Sequence, residues 1–274
     1  MHLRDLSVFD IRLLLDEERA DLLRLLRSLN PDEWAAPTEA GHWRVKDVAL
    51  HLLDDDLGWL SRGRDGDLSG LLPTDGDYRD FVTSLDAKNQ RFVVANAGVS
   101  ARVLCDLLEW SGNEVTAHYA SLDLAHDAGN VIWAAGNDAV PKWFDLCRDF
   151  TERWVHQQHI RDAIGRLDNH PRFLLAVLRT FIWAFPFQLD DVGDNGDVVE
   201  VSLGLAGTWH LTCDASGWEL HEGAADVAPT ASLSMCESVA WRQLTGLPVG
   251  EGDVVVTGDP ELTAALLQVR GIIA

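Results

Sequence analysis

Pro141 to Ile164 reads PKWFDLCRDFTERWVHQQHIRDAI, and this stretch decides the fold class. Trp143, Leu146, Cys147, Phe150, Trp154 and Val155 recur at three- and four-residue steps, with charged and amide side chains between them. That period places the apolar residues on one stripe of an α-helix. Gly165 follows as a terminator, since glycine accepts the left-handed conformation that closes a helix.

The same period extends outward from this helix. Ile11 to Leu29 carries Leu14, Leu15, Leu22, Leu25, Leu26 and Leu29 at helical spacing. Asn30-Pro31-Asp32-Glu33 reads as a cap with proline at the first helical position. A second helix has Val45, Val48 and Leu52 facing one way, and Tyr78–Ala97 and Ala101–Leu124 read as two more helices. Arg62 to Asp77 and Asp127 to Asp138 are rich in Gly and Asp and predict loops. FLLAVLRTFIWAFPF (Phe173 to Phe187) is too short for a membrane span and is broken by Arg179 and Pro186, so it predicts a buried helix within Pro171–Pro186.

The period changes near Leu189. Val199, Val201, Leu203 and Leu205 alternate at period two, as do Trp209, Leu211 and Cys213, and again Ala231, Leu233 and Met235. Alternation of that kind marks half-buried strands. Trp218 and Leu220 suggest a return strand, and Asp253–Thr257 another. Cys236–Thr245 reads as a short helix ended by Gly246, and Asp259-Pro260-Glu261 opens a last helix. The expectation is a helical domain over 1–189 and a small α+β domain over 190–274.

Hydrophobic residues make up 47% of the 274, ample for a core. Asp and Glu number 44 against 22 Lys and Arg, a formal charge of −22 that repels phosphate backbones and speaks against nucleic-acid binding. The charged N-terminal stretch does not read as a signal peptide. Cys105, Cys147, Cys213 and Cys236 form no CxxC pair and fit free thiols in a reducing cytoplasm. A soluble cytoplasmic monomer or homodimer, without a membrane or nucleic-acid partner, is expected.

Within the opening helix, Glu152 and His156 stand four residues apart and project from one face. A carboxylate and an imidazole aimed at one spot can give a divalent metal two ligands. His51, flanked by Val48 and Leu52, is the candidate third, because metal sites in bundles are assembled from facing helices. Two histidines and one carboxylate leave coordination positions open, which suits catalysis by zinc, nickel or iron(II). Spacing alone leaves Glu114/His118 and Glu152/His159 as rival pairs. Asp55, four residues after His51, reads as an acceptor that orients the imidazole, or with Asp54 and Asp56 as a solvated acidic face.

Asn30-Pro31-Asp32-Glu33-Trp34, Pro37-Thr38, Gly41-His42-Trp43, Val45-Lys46-Asp47-Val48 and His51-Leu52 together resemble the N-terminal signature of the DinB-like, mycothiol-dependent maleylpyruvate isomerase family. The later Glu152/His156 motif, followed by Arg161-Asp162-Ala163-Ile164-Gly165, is similar to that family's second metal motif. The resemblance implies a DinB-like four-helix bundle in up-down-down-up order, a divalent metal near one end, and a small α+β (SCP2-like) C-terminal domain. It also implies a low-molecular-weight thiol of mycothiol type as cosubstrate, used for isomerisation or S-transfer on a small electrophile. Many members carry a Gly-Arg pair after the helix matching Cys236–Thr245; here Leu247 follows Gly246, and Arg242 reads either as the candidate catalytic arginine that anchors an anionic substrate or as a solvent-facing charge on a short helix. Two further readings stay open: a hydrolase using metal-bound water, and a non-enzymatic small-ligand protein with Trp43, Trp59, Trp143 and Trp154 lining its pocket.

Overall fold

The computed structural model describes residues 7–72, 78–136, 138–167 and 170–271. It contains helices α1 (Arg12–Ser28), α2 (Pro31–Trp34), α3 (Val45–Gly58), α4 (Tyr78–Ala95), α5 (Ala101–Ala120), α6 (Ile132–Ala135), α7 (Lys142–Ala163), α8 (Pro171–Phe181), α9 (Ala184–Gln188), α10 (Glu237–Leu244) and α11 (Pro260–Leu266). The strands are β1 (Asp127–Asn130), β2 (Ala139–Pro141), β3 (Val198–Leu203), β4 (Thr208–Asp214), β5 (Gly217–Glu222), β6 (Ala231–Met235) and β7 (Val255–Gly258). The chain is thus mostly helical with a C-terminal sheet, as the change of period near Leu189 predicts.

Contacts group the chain into two units. One comprises Asp10–Asp123 and Glu152–Asp168; the other comprises Met1–Phe9, Leu124–Thr151 and Asn169–Ala274. This grouping does not follow a single cut at 189/190. α8 and α9 precede that point, yet α8 packs on α10 and on the turn Gly204–Ala206, and α9 packs on β5.

In the helical unit, Leu22, Leu25 and Leu26 of α1, Val45, Val48 and Leu52 of α3, Val93 of α4, Leu104 and Leu108 of α5, and Ile160 of α7 form one buried cluster. α2 begins as the sequence predicts: Asn30 Oδ1 accepts from the Asp32 and Glu33 amides, and Glu33 accepts in return from the Asn30 amide. α3 runs further than expected, passing into a π-helical turn over Trp59–Arg64, so the helix continues into the segment read as a loop. Residues 73–77 of that segment lie outside the described residues.

The acidic run after His51 does not form a solvated face. Successive helical residues point about 100° apart, and the three acids part company. Asp56 is fully buried, where Arg19 and Arg153 donate to Oδ1 at 2.7 and 2.8 Å and Ser111 donates to Oδ2 at 2.6 Å. Asp54 pairs with Lys88 at 2.9 Å. The third, Asp55, belongs to the site described below.

Glu18 on α1 is also fully buried, and neither carboxylate oxygen has a hydrogen-bond partner. Burial pushes its pKa from 4.5 up to about 7, with Arg19 pulling the other way. A carboxyl group that holds its proton more tightly when folded costs nothing below its unfolded pKa. Its cost grows between about 4.5 and 7 and is constant above. Glu18→Gln removes the titration, so the variant should gain on the native chain by ~2.5 kcal/mol between pH 5 and pH 8, at ~1.4 kcal/mol per pKa unit. Urea unfolding of both proteins at the two pH values measures this, and parallel pH responses would show that Glu18 does not titrate in that window.

In the other unit the sheet order is β5-β4-β3-β6-β7. β3 pairs parallel with β6, and the remaining pairs are antiparallel. Val199, Val201, Leu203, Trp209, Leu211, Trp218, Leu220, Leu233 and Met235 are buried, as the alternation predicts. Leu205 breaks the pattern at 77% exposure, because Gly204–Ala206 forms a 3-10 turn that ends the strand. The expected Asp127–Asp138 loop contains β1 and α6, with β1 pairing antiparallel to β2. All four cysteines are free. Among the described residues no helix is long and apolar enough to cross a membrane.

Candidate metal centre

The loop before α3 and the second half of α7 build the site, all within the helical unit. Thr38 holds the loop closed: its amide and hydroxyl both donate to the Trp43 carbonyl, at 3.0 and 2.8 Å. Gly41 takes φ +58°, a conformation that disfavours any side chain. Asp47 accepts from the Arg44 amide at 2.9 Å and so caps α3. The Pro-Thr, Gly-x-Trp and V-x-D elements of the sequence are therefore a device that fixes Trp43 and starts the helix carrying His51.

His51 on α3 meets Glu152 and His156 on α7. Nε2 of His51 lies 3.2 Å from Glu152 Oε1, and Nε2 of His156 lies 3.0 Å from the same oxygen. One donor atom from each of the three residues falls within 4.8 Å of the others, the one such cluster among the described residues. Both imidazoles are buried, at 4% and 9% exposure, while Glu152 is half-buried. Burial opposes charge on His51, but the Asp55 carboxylate and the Glu152 hydrogen bond outweigh it and raise its pKa to about 9. Burial likewise works against an ionised Glu152, yet His156 and His51 hold it well below the ordinary carboxylate value.

The two separations at Glu152 are those expected of ligands around a shared divalent cation. Ligand atoms ~2.0–2.2 Å from one ion, at angles between octahedral and tetrahedral, stand ~2.8–3.6 Å apart. The two shortest distances at Glu152 fall in that range. Two neutral imidazoles and one carboxylate also form a donor set with positions left open.

Behind the triad, Nδ1 of His156 lies 3.3 Å from Nδ1 of His159. An imidazole that offers Nε2 to a metal carries its proton on Nδ1, so His156 donates here and His159 accepts. His159 thus stands behind His156, where it would fix the tautomer and orientation of a metal-bound ring. Trp43 covers the other side, with its ring 5.0 Å from that of His51 and 6.3 Å from that of His156. Gln90 Oε1 accepts from the Trp43 indole at 2.7 Å and from His42 Nε2 at 2.9 Å, which pins the indole. Nothing in the sequence singles out Gln90, since its helix and the loop before α3 meet only in the fold.

Sequence likeness bears on the same segment. A family model described as "Mycothiol maleylpyruvate isomerase N-terminal domain" matches residues 15–161, just over half of the chain. The chain belongs to that family. No curated protein matches it. A crystal structure of the mycothiol-dependent maleylpyruvate isomerase aligns with a TM-score of 0.58 at 14% identity, covering 95% of this chain and 98% of that one. A histidine-to-alanine mutant of the mycothiol-dependent maleylpyruvate isomerase gives 0.53 at 15%, with the same coverage. At these identities the likeness is one of fold.

The family match spans all three residues of the cluster, His51, Glu152 and His156. Of the rival pair Glu114/His118, Glu114 binds Arg64 at 2.8 Å, and His118 packs against Trp59 and Tyr119. Asp55 differs from its expected role, because its Oδ2 lies 3.6 Å from Nε2 of His51, the nitrogen facing Glu152. An orienting acceptor would stand at Nδ1, which is buried with no partner. Arg242 sits in the other unit on α10, with Nε donating to the Pro248 carbonyl at 3.2 Å and its guanidinium 5.2 Å from the Trp241 ring. That unit also holds a cavity of about 220 Å³ lined by Trp143, Phe144, Arg179, Trp183 and Trp209 among others. Trp143 is the one tryptophan it shares with the sequence reading; Trp154 is instead fully buried.

Proposed function

We propose that this chain is a metal-dependent enzyme that uses a low-molecular-weight thiol of mycothiol type on a small electrophilic substrate, by cis–trans isomerisation or S-transfer. The observation that carries the reading is the convergence of His51, Glu152 and His156 within 4.8 Å from two helices. Family membership supplies the thiol and the reaction class. A reducing cytoplasm is the setting in which a free thiol cosubstrate persists.

His51 and His156 would hold the metal through Nε2, and Glu152 through Oε1. A bound dication, with zinc first and nickel or iron next, would deprotonate the thiol and keep its sulfur in place near neutral pH. The remaining work falls to the protein. His159 keeps the proton of His156 on Nδ1 and leaves Nε2 free to ligate. Glu152 supplies the negative charge that offsets the cation. Trp43, pinned by Gln90, shields the two imidazoles from water.

Assay of the purified metal-loaded protein with maleylpyruvate, with and without mycothiol, tests this. Isomerisation that needs both metal and thiol is the expected result. Turnover of an ester or amide without thiol would replace the proposal with metal-assisted hydrolysis. A protein that binds no metal would end both.

A further inference from the structure

We propose that Asp55 supplies a fourth, carboxylate donor to the cation, making the site of this chain a set of two histidines and two carboxylates. The inference rests on reading His51, Glu152 and His156 as a metal centre.

Three observations lead to it. Asp55 follows His51 by one helical turn on α3, so both side chains leave the same face. Its Oδ2 stands 3.6 Å from Nε2 of His51, on the side that looks toward Glu152. That separation matches the edge expected between two ligands of one ion, ~2.8–3.6 Å, and is too long for a hydrogen bond. The neighbouring acids serve elsewhere: Asp54 is held by Lys88 at 2.9 Å, and Asp56 is enclosed by Arg19, Arg153 and Ser111. Of the three consecutive acids, Asp55 alone is directed at the site.

Asp55 is not part of the three-residue cluster. Its side chain must therefore turn inward when a cation binds, and it has the room: it is 28% exposed, against 4% for His51. Two carboxylates would neutralise the dication and add a hard oxygen donor. Oxygen-rich sets favour cations such as Mn²⁺. With four protein donors, zinc would take a thiol only by expanding to five-coordinate, whereas a six-coordinate cation would keep two open positions.

The test is metal affinity, measured by chelator competition with Zn²⁺ and with Mn²⁺ on the full-length chain. Asp55→Asn keeps the shape and removes the charge. It should bind one ion per chain, with affinity lower by at least about 10-fold, since loss even of a group that merely supports a ligand costs about 10–100-fold. Asp54→Asn should change affinity less than twofold. Asp86→Asn removes another acid whose pKa responds to the charge of His51 and so controls for general electrostatics; it should fall well short of the Asp55 effect. In the Co²⁺-loaded protein, Asp55→Asn should also alter the visible ligand-field bands, while the two control variants leave them in place.

Native binding with an unchanged Asp55→Asn affinity would overturn the fourth donor and leave the triad standing. A loss equal to that of Asp86→Asn with unaltered Co²⁺ bands would also overturn it, by reducing Asp55 to a remote charge. A native chain that takes up neither ion would overturn the triad and this inference together.

Discussion

Glu152→Ala should bind divalent metal more weakly than the native chain by ~10²-fold or more. Loss of a group merely supporting a ligand costs about 10–100-fold, and Glu152 is proposed as a ligand itself. It is the one anionic group of the triad, and it stands between the two imidazoles, 3.2 Å from His51 and 3.0 Å from His156. Removing it takes away both a donor and the charge that offsets the cation. The variant should still fold, because neither Glu152 nor His156 belongs to the hydrophobic cluster of the bundle. Elemental analysis after purification should show about one ion per native chain and a trace in the variant. Thermal unfolding gives a second readout. Free metal at 100 times its Kd stabilises a protein by ~2.7 kcal/mol, so a chelator should lower the native Tm by several degrees and leave that of the variant unchanged. Equal metal content in the two proteins would remove Glu152 from the centre.

Asp56→Ala should destabilise the helical unit by ~3–5 kcal/mol, the cost of breaking a buried ion pair from one side. Asp56 is fully buried, and its Oδ1 accepts from both Arg19 and Arg153. Burial raises its pKa despite these partners, a sign that taking the carboxylate out of water is costly. That cost does not make the residue dispensable. Once it is gone, two buried guanidinium groups lose a shared acceptor and Ser111 loses its 2.6 Å bond. Asp56→Asn keeps the volume and an acceptor oxygen and should fall between alanine and the native chain. The midpoint of urea unfolding measures the order. A stability loss of less than ~1 kcal/mol in the alanine variant would show that the arginines find other partners.

The consequences reach the site through a shared helix. Arg153 directly follows Glu152 on α7, so a shift of the helix at Arg153 moves Glu152 and His156 with it. A weakened Asp56 variant is therefore expected to lose metal as well as stability, whereas Glu152→Ala loses metal and keeps the stability of its metal-free form.

The sequence by itself determined the elements and the chemistry of the donors. Helical spacing gave α1, α3, α5 and α7 to within a few residues, and period-two alternation gave the strands of the C-terminal sheet, because local burial periodicity follows from backbone geometry. The four-residue step from Glu152 to His156 already placed both on one face of α7. The tertiary structure decided what depends on distant segments meeting. It brought His51, 101 positions away in the chain, to Glu152. It engaged Glu114 with Arg64, set His159 behind His156, and pinned Trp43 with Gln90. It also gave three adjacent aspartates three different fates, which composition could read only as one acidic run. A periodic pattern records which face of an element is buried; which side chains of other elements wait on that face is a property of packing alone.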